Sequence, residues 1–249
     1  MTHPEIVRIG LGGVSVFRLP GDPPHYVKIC NSGRHAGDMR AVIAEAHQLG
    51  NGLHATAQRR FRIGGDSRPC YVTTAMPGQV IHPDRITDDM VAQVRQLWIS
   101  LQRMTRSGSL YNHAPAVAAL IGRPLAGDWS HGDFDVLHMY WQDRSLTGVI
   151  DFDAAMFSDA RYDLALFVYS MVRHLPPAAA VDRARRLAHR VVDGSAQSGD
   201  ELLAWVAGIA RYRFDTIPGT QHIGPGEAAL TEALWAMGIG RSAARLAAD

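Results

Sequence analysis

The chain reads as an α+β protein of two lobes, a small antiparallel β-sheet with one helix followed by a mainly helical remainder. Three observations predict this. The first 77 residues run in short stretches of alternating apolar and polar positions broken by Gly and Pro, the pattern of strands and tight turns. Within them only 39–49 has the apolar spacing of a helix. From Pro77-Gly78 onward the period changes, and Val91, Val94, Leu97, Trp98, Leu101 and Met104 fall on one helical stripe. The expected division is therefore 1–77 and 78–249.

Taken in order, 6–19 alternates around Gly10, Gly12 and Gly13, 21–24 is a turn, and 25–30 is a short strand carrying Lys28. After the loop SGRHAGD comes the helix, then strands over 60–63 and 70–75 around the turn GGDSRP. A helix is expected over 88–104, an irregular section over 107–128, and two brief strands over 139–141 and 148–152 joined by a turn at 142–145. Further helices are expected over 162–174, 177–192, 201–214 and 226–247. No internal repeat interrupts the series.

With 249 residues, of which 47% are hydrophobic and 20% charged, the chain can build one large domain or two small lobes. A net charge of +1 without long like-charge runs leaves no electrostatic footprint for nucleic acid or an anionic membrane. The start MTHPEIVRIG has no secretory pattern, and the longest apolar run, 164–172, is too short to span a bilayer, so a cytoplasmic protein is expected. Cys30 and Cys70 read as reduced thiols. All but one of the 25 basic residues are Arg; the exception is Lys28, which marks a place where a compact ammonium serves and a planar fork does not.

The segment SHGDFDVLHMYW, 130–141, carries the sharpest signal. It is the phosphoryl-transfer loop pattern H-x-D-x-x-x-x-N, except that position 138 is His. That chemistry needs a loop over nucleotide phosphates, a Lys on them, an acid orienting the Lys, a base near the acceptor hydroxyl and carboxylates on a metal. IGLGGVSVFRL supplies Gly12 and Gly13, with Ser15 where a third glycine is usual; Lys28 lies one strand later and Glu45 on the following helix. Asp133 of HGD and Asp151 of VIDF, 18 residues apart, can converge on one metal and one hydroxyl. Asp159 and Asp163 suit helix capping and anchoring of the loop. Taken singly, each has an ordinary reading as a glycine turn, a solvated charge or a turn acid.

Together the glycine turn, Lys28, Glu45, CYVTTAMPG, SHGDFDVLHMYW and GVIDFDAAMFSDARYDLA resemble the aminoglycoside phosphotransferase family, small-molecule relatives of protein kinases. The resemblance implies a two-lobed protein-kinase-like fold, ATP or GTP, and Mg²⁺. It makes Asp133 the catalytic base, Asp151 the principal metal ligand, Lys28 with Glu45 the phosphate-holding pair, and the backbone at Thr74 and Met76 the contact for the nucleotide base. Two departures are plain: His138 stands for Asn, and Asp153 for the Gly of D-F-G. An imidazole suits Mn²⁺ better than Mg²⁺, and Asp153 puts a second carboxylate beside the metal ligand.

The expected activity is transfer of a γ-phosphate to a hydroxyl of a small molecule, an antibiotic or a natural-product intermediate. The absence of a long segment between Asp153 and the helix near Tyr162 favours a small acceptor. Arg183, Arg185, Arg186, Arg190, Arg211 and Arg213 argue against a polycationic one. Trp205, Tyr212 and Trp235 fit either an acceptor pocket or the core. Phosphorylation of Ser or Thr in a short peptide, a non-catalytic kinase-like binding protein, and a hydrolase metal site from His131, Asp133 and His138 are the alternatives. The last explains neither Lys28 nor the IDF segment. Oligomeric state is left open.

Overall fold

The computed structural model describes residues 5–9, 14–30, 39–63, 66–107, 112–195, 197–216 and 231–235. The α+β expectation holds. Five antiparallel strands, β1 (Glu5–Ile9), β2 (Val14–Leu19), β3 (His25–Cys30), β4 (Ala55–Ile63) and β5 (Asp66–Thr74), form one sheet in the order β1-β2-β3-β5-β4. The register sets Lys28 opposite Val16 on one side and Tyr71 on the other. Directly opposed residues share a face of the sheet, so the lysine and the tyrosine leave it together. Strand β4 begins at Ala55, ahead of the expected 60. Helix α1 (Met39–Gln48) buries Met39, Val42, Ile43 and Ala46, the spacing that predicted it.

The remainder is helical apart from two small ribbons. It comprises α2 (Asp88–Leu101), α3 (Ala114–Leu120), β6 (Asp128–Ser130), β7 (Met139–Gln142), β8 (Ser145–Val149), β9 (Met156–Ser158), α4 (Ala160–Val172), α5 (Pro177–Val192) and α6 (Gly199–Thr216). Helix α4 has 12 of its 13 residues buried, which makes it the central column against which α5 and α6 pack. Trp205 is fully buried in that core and so does not line a pocket. Residues 231–235 are helical, and the rest of the expected 226–247 helix lies outside the described residues. No helix among the described residues is long and apolar enough to cross a membrane. Cys70 is free and buried.

Two local differences matter for the site. The section expected to be irregular contains α3, a short Ala-rich helix whose first amide, Ala114 N, donates to Asn112 Oδ1 at 2.8 Å and whose first turn accepts Pro115. A seven-residue helix is too short to show a periodic stripe. The second strand of the ribbon stops at Val149, and 152–154 is a 3-10 turn instead. The ribbon turn is tight, with Asp143 and Arg144 both at positive φ (48° and 65°).

The sheet is tied to the helical part through few contacts. Asn51 Oδ1 accepts from Val149 N at 2.7 Å, and Gly52 N donates to Thr147 O at 2.8 Å. At the expected division, Gly78 has φ +89°, and a Cβ there would run into the Trp141 carbonyl. Asn51 is 1% exposed, so its loss would strand the Val149 amide without water. Asn51→Ala should therefore lower the unfolding free energy by about 2 kcal/mol, read from urea denaturation.

Candidate active site

The loop that opens the site is held from below. Asp163, in the first turn of α4 and fully buried, accepts from Ser130 Oγ (2.8 Å), His131 N (2.7 Å) and Gly132 N (2.9 Å). Burial pushes its carboxyl up to about 7, against the downward pull of those three donors. Gly132 has φ +78°, and a Cβ there would strike the Ala154 carbonyl and approach Asn112 Nδ2 to 2.6 Å. Only glycine lets the loop pass. Asp159, the N-cap of α4, accepts from Arg161 N, so both trailing acids anchor and cap as the sequence suggested.

His131 is buried between Phe134 and Phe152, with ring centroids 5.7 and 4.6 Å away. Its Nδ1 accepts from Asp133 N at 3.2 Å, and burial holds the ring neutral, lowering it to about 3. It is a structural post for the loop. Asp133 stands above it with a side chain 43% exposed.

The next turn folds His138 back beneath Asp133. Asp135 Oδ1 caps the 3-10 turn 136–138 by accepting from Leu137 N at 2.9 Å. His138 Nδ1 donates to Asp133 O at 3.0 Å and lies 3.5 Å from Asp133 Oδ2, while Nε2 lies 3.9 Å from Asp151 Oδ2. A carbonyl can only accept, so Nδ1 carries the hydrogen and the neutral ring presents its Nε2 lone pair toward Asp151. Asp151 itself has φ +71° and ψ 58°, a left-handed backbone that non-glycine residues seldom adopt. Such conformations cluster at functional sites, and here the outlier is the residue that meets Lys28.

Lys28 reaches across from β3 to donate to Asp151 Oδ1, and it pairs with Asp153 Oδ2 at 2.6 Å. Burial alone would lower the ammonium, but Asp151 and then Asp153 outweigh it and hold Lys28 above the ordinary lysine range. Asp153 is fixed in turn by Tyr71, whose hydroxyl donates to Oδ1 at 2.7 Å.

The carboxyls of Asp133 and Asp151 are shifted in opposite directions. Burial raises Asp133, with His138 opposing. Burial also presses Asp151 upward, but Lys28 and then His138 pull harder and keep it well below the usual carboxylate range. For His138, burial pulls down and Asp133 followed by Asp151 pulls up, leaving it above its ordinary value. A raised carboxyl suits a base, and a lowered one a permanent anion for cation binding.

Asp133, His138 and Asp151 each offer a ligand atom within 4.8 Å of the others. Two carboxylates and one imidazole suit a divalent cation, and the nitrogen shifts the preference toward Mn²⁺. Asp153, expected beside the metal, is not in this group; both its oxygens have partners in Lys28 and Tyr71. His131 is not in it either, so the hydrolase triad of His131, Asp133 and His138 does not form. A second group, His82, Asp84 and His174, is exposed, and Arg183 already donates to Asp84 Oδ1 at 3.2 Å.

Other expected site residues fall as follows. Gly12 and Gly13 lie outside the described residues, and Ser15 is on β2 next to them. Glu45, expected to pair with Lys28, faces elsewhere: Oε1 accepts from Thr105 N (3.0 Å) and Thr105 Oγ1 (2.6 Å), and Oε2 from Arg106 N (3.0 Å). It ties α1 to the chain leaving α2. Thr74 N, one of the amides expected to face the nucleotide base, donates to His54 O at 3.0 Å, and Met76 is buried. Tyr71 was missed because its role depends on cross-strand register, which the segment CYVTT does not reveal.

A small antiparallel sheet on a helical part, with a lysine from the sheet meeting acids of the helical part, is the arrangement of a kinase-like fold. Residues 110–197 match the model of the phosphotransferase enzyme family, bearing out the resemblance to the aminoglycoside phosphotransferases. Among solved structures, the chain is similar to the GDP complex of aminoglycoside 2'-phosphotransferase-IIIa (14% identity, 95% of this chain and 93% of that one, TM-score 0.61). It is also similar to an amicoumacin kinase in complex with AMP-PNP, Ca²⁺ and its substrate (10%, 96% and 88%, 0.60). A thermostable mutant of aminoglycoside phosphotransferase APH(4)-Ia with ADP and hygromycin B has the same fold (13%, 98% and 94%, 0.58). No curated protein matches the chain.

Since Glu45 serves Thr105 and Arg106, Glu45→Ala should cost about 1–3 kcal/mol of stability and leave nucleotide affinity within about twofold of wild type. Urea unfolding and a fluorescent-nucleotide titration, run on the same preparation, check both halves. A large loss of nucleotide affinity in a folded variant would return Glu45 to the lysine.

Proposed function

We propose that the chain transfers the γ-phosphate of ATP or GTP to a hydroxyl of a small natural product, with Asp133 as the base and the cation held by Asp151 and His138. The observation that carries this reading is geometric: Asp133, His138 and Asp151 bring ligand atoms within 4.8 Å of one another, and Lys28 donates to Asp151 from the sheet. The lobes 1–77 and 78–249 would divide the work between nucleotide phosphates and acceptor.

On this reading Asp133 orients the acceptor hydroxyl and takes its proton as the oxygen attacks the γ-phosphorus. Lys28 places its ammonium on the nucleotide phosphates. His138, fixed through Nδ1 by the Asp133 carbonyl, would hold a divalent cation through Nε2 together with Asp151. A divalent ion bound there supplies neutralisation of the phosphate charge. Nucleotides and hydroxylated antibiotics bound by the similar structures, GDP, ADP, AMP-PNP, hygromycin B and amicoumacin, support the class of both substrates. The Arg residues of α5 and α6 favour an acceptor that is not a polycation. A non-catalytic binding protein is the second reading, favoured by His138 in place of Asn.

The deciding experiment is nucleotide turnover against a panel of hydroxylated natural products and Ser/Thr peptides, with Mg²⁺ and Mn²⁺ compared. Asp133→Asn should reduce turnover by roughly two orders of magnitude or more with nucleotide affinity little changed, whereas Asp151→Asn should also abolish the metal dependence of nucleotide binding. Equal and small effects at both positions would favour the binding protein.

A pH profile tests His138. Its raised pKa means that the ring is protonated at low pH and must lose that proton before Nε2 can bind a cation. Metal-supported turnover should therefore fall as pH drops through a region above the ordinary imidazole range. His138→Asn should move that limb to lower pH and reduce the preference for Mn²⁺ over Mg²⁺. An unaltered limb and an unaltered metal preference would remove His138 from the cation.

A further inference from the structure

The acid that orients a phosphate-binding lysine is expected on the helix behind the sheet, but Glu45 there is engaged by Thr105 and Arg106. Lys28 has two carboxylates in reach, and they are not equivalent. Asp151 is shared: its Oδ1 meets Lys28 and its Oδ2 faces His138 Nε2 in the cation group. Asp153 stands outside that group. Its Oδ2 lies 2.6 Å from Lys28 Nζ and its Oδ1 accepts from the Tyr71 hydroxyl at 2.7 Å.

The scaffold prepares this second contact from both sides. Lys28 on β3 and Tyr71 on β5 are directly opposed in the antiparallel register, so their side chains leave the same face of the sheet side by side. Asp153 sits in the 3-10 turn 152–154, whose Phe152 is 1% exposed and whose closing amide, Ala155 N, donates to Phe152 O at 3.0 Å. Asn112 Nδ2 holds the same turn by donating to Ala154 O at 3.1 Å. Tyr71 is 6% exposed and Asp153 has a side-chain exposure of 15%, so hydrogen bonds among the three groups are screened little by water. A residue free to meet solvent would not need a buried phenol for a partner.

We infer that Asp153, locked by Tyr71, is the positioning residue for Lys28, and that it performs the lysine-orienting task in place of both Glu45 and the metal-ligand role expected of it. The inference rests on the phosphotransferase reading and deepens it. When the charge of Asp151 is drawn to a cation, Lys28 keeps a second carboxylate, one that lies outside the cation group. The ammonium then stays in register with the cleft instead of following Asp151. Glycine at this position would leave the lysine to an acid on the helix, so Asp153 and the diverted Glu45 are two sides of one rearrangement.

Lys28 is the single lysine of the chain, which makes the test direct. Selective ¹⁵N labelling of lysine reports one side-chain ammonium signal. It is recorded for wild type, Asp153→Asn, Asp153→Glu and Tyr71→Phe, in the free protein and with Mg²⁺ and AMP-PNP. In the free protein the signal should shift in Asp153→Asn and, less, in Tyr71→Phe. With Mg²⁺ and AMP-PNP it should persist in wild type and broaden away through solvent exchange in Asp153→Asn. Nucleotide affinity should fall about tenfold in Asp153→Asn and be largely restored in Asp153→Glu, as loss of one charge-assisted contact predicts, with the Mg²⁺ concentration for half-saturation unchanged. Asp153→Asn and Lys28→Ala should be non-additive when combined.

An ammonium signal indifferent to Asp153→Asn in the free protein overturns the positioning role. So does a raised Mg²⁺ requirement with the Lys28 signal intact, which would return Asp153 to the cation. Failure of wild type to bind nucleotide would sink the phosphotransferase reading instead, and the free-protein signal would still decide whether Asp153 and Tyr71 hold Lys28.

Discussion

A full positive charge at 14% exposure, the ammonium of Lys28, is the constraint to which the rest of the cleft answers. Withdrawing it from water is tolerable only with two carboxylates beside it, and those come from far along the chain, 123 residues away for Asp151. The pair therefore welds β3 to the segment 151–153. Either partner removed alone would leave an uncompensated charge in a half-closed cleft, which is worse than removing both. The Asn51 side chain on Val149 N, the Gly52 amide on Thr147 O and the Glu45 clasp on Thr105 and Arg106 carry the same junction along its length.

A second demand is that a loop of polar backbone pass through the hydrophobic interior without orphaned amides. Asp163 answers it by gathering the Ser130 hydroxyl and the amides of His131 and Gly132 onto one buried carboxylate. With the base of the loop closed in this way, the Asp133 side chain stays half-exposed while His131 and Phe134 are inside. Among residues 131–135 Asp133 is the one that is not buried.

The departures from the family pattern are coupled through electrostatics. An imidazole at 138 raises the positive potential near Asp151 when protonated and offers a lone pair when neutral, a choice that an amide does not have. A carboxylate at 153 gives the lysine a partner on the same turn as Asp151, so helix α1 can use Glu45 to bind the chain leaving α2. Each substitution looks like a defect when read alone. Together they form a linked set in which Lys28, His138, Asp151 and Asp153 each face an opposite charge.

Much of this was legible before any coordinates. Alternation and helical period carried the division into sheet and helices, and the spacing of HGD, IDF and the trailing Asp163 carried the loop, the metal-type acid and the anchor, because those roles are set by local order along the chain. Sequence also singled out Lys28. It did not reveal the partners of that lysine, nor Tyr71, nor the short helix α3. Partnership across strands depends on register, and a seven-residue helix shows no period. The orientation of Glu45 is decided by which face of α1 meets the sheet and which meets residues 105–106, a matter of packing between segments 60 residues apart. What residues stand in the chain determined which charges are present; only the tertiary structure decided which of them meet, since burial raises the energy of every charge and leaves standing only the arrangement that pairs them.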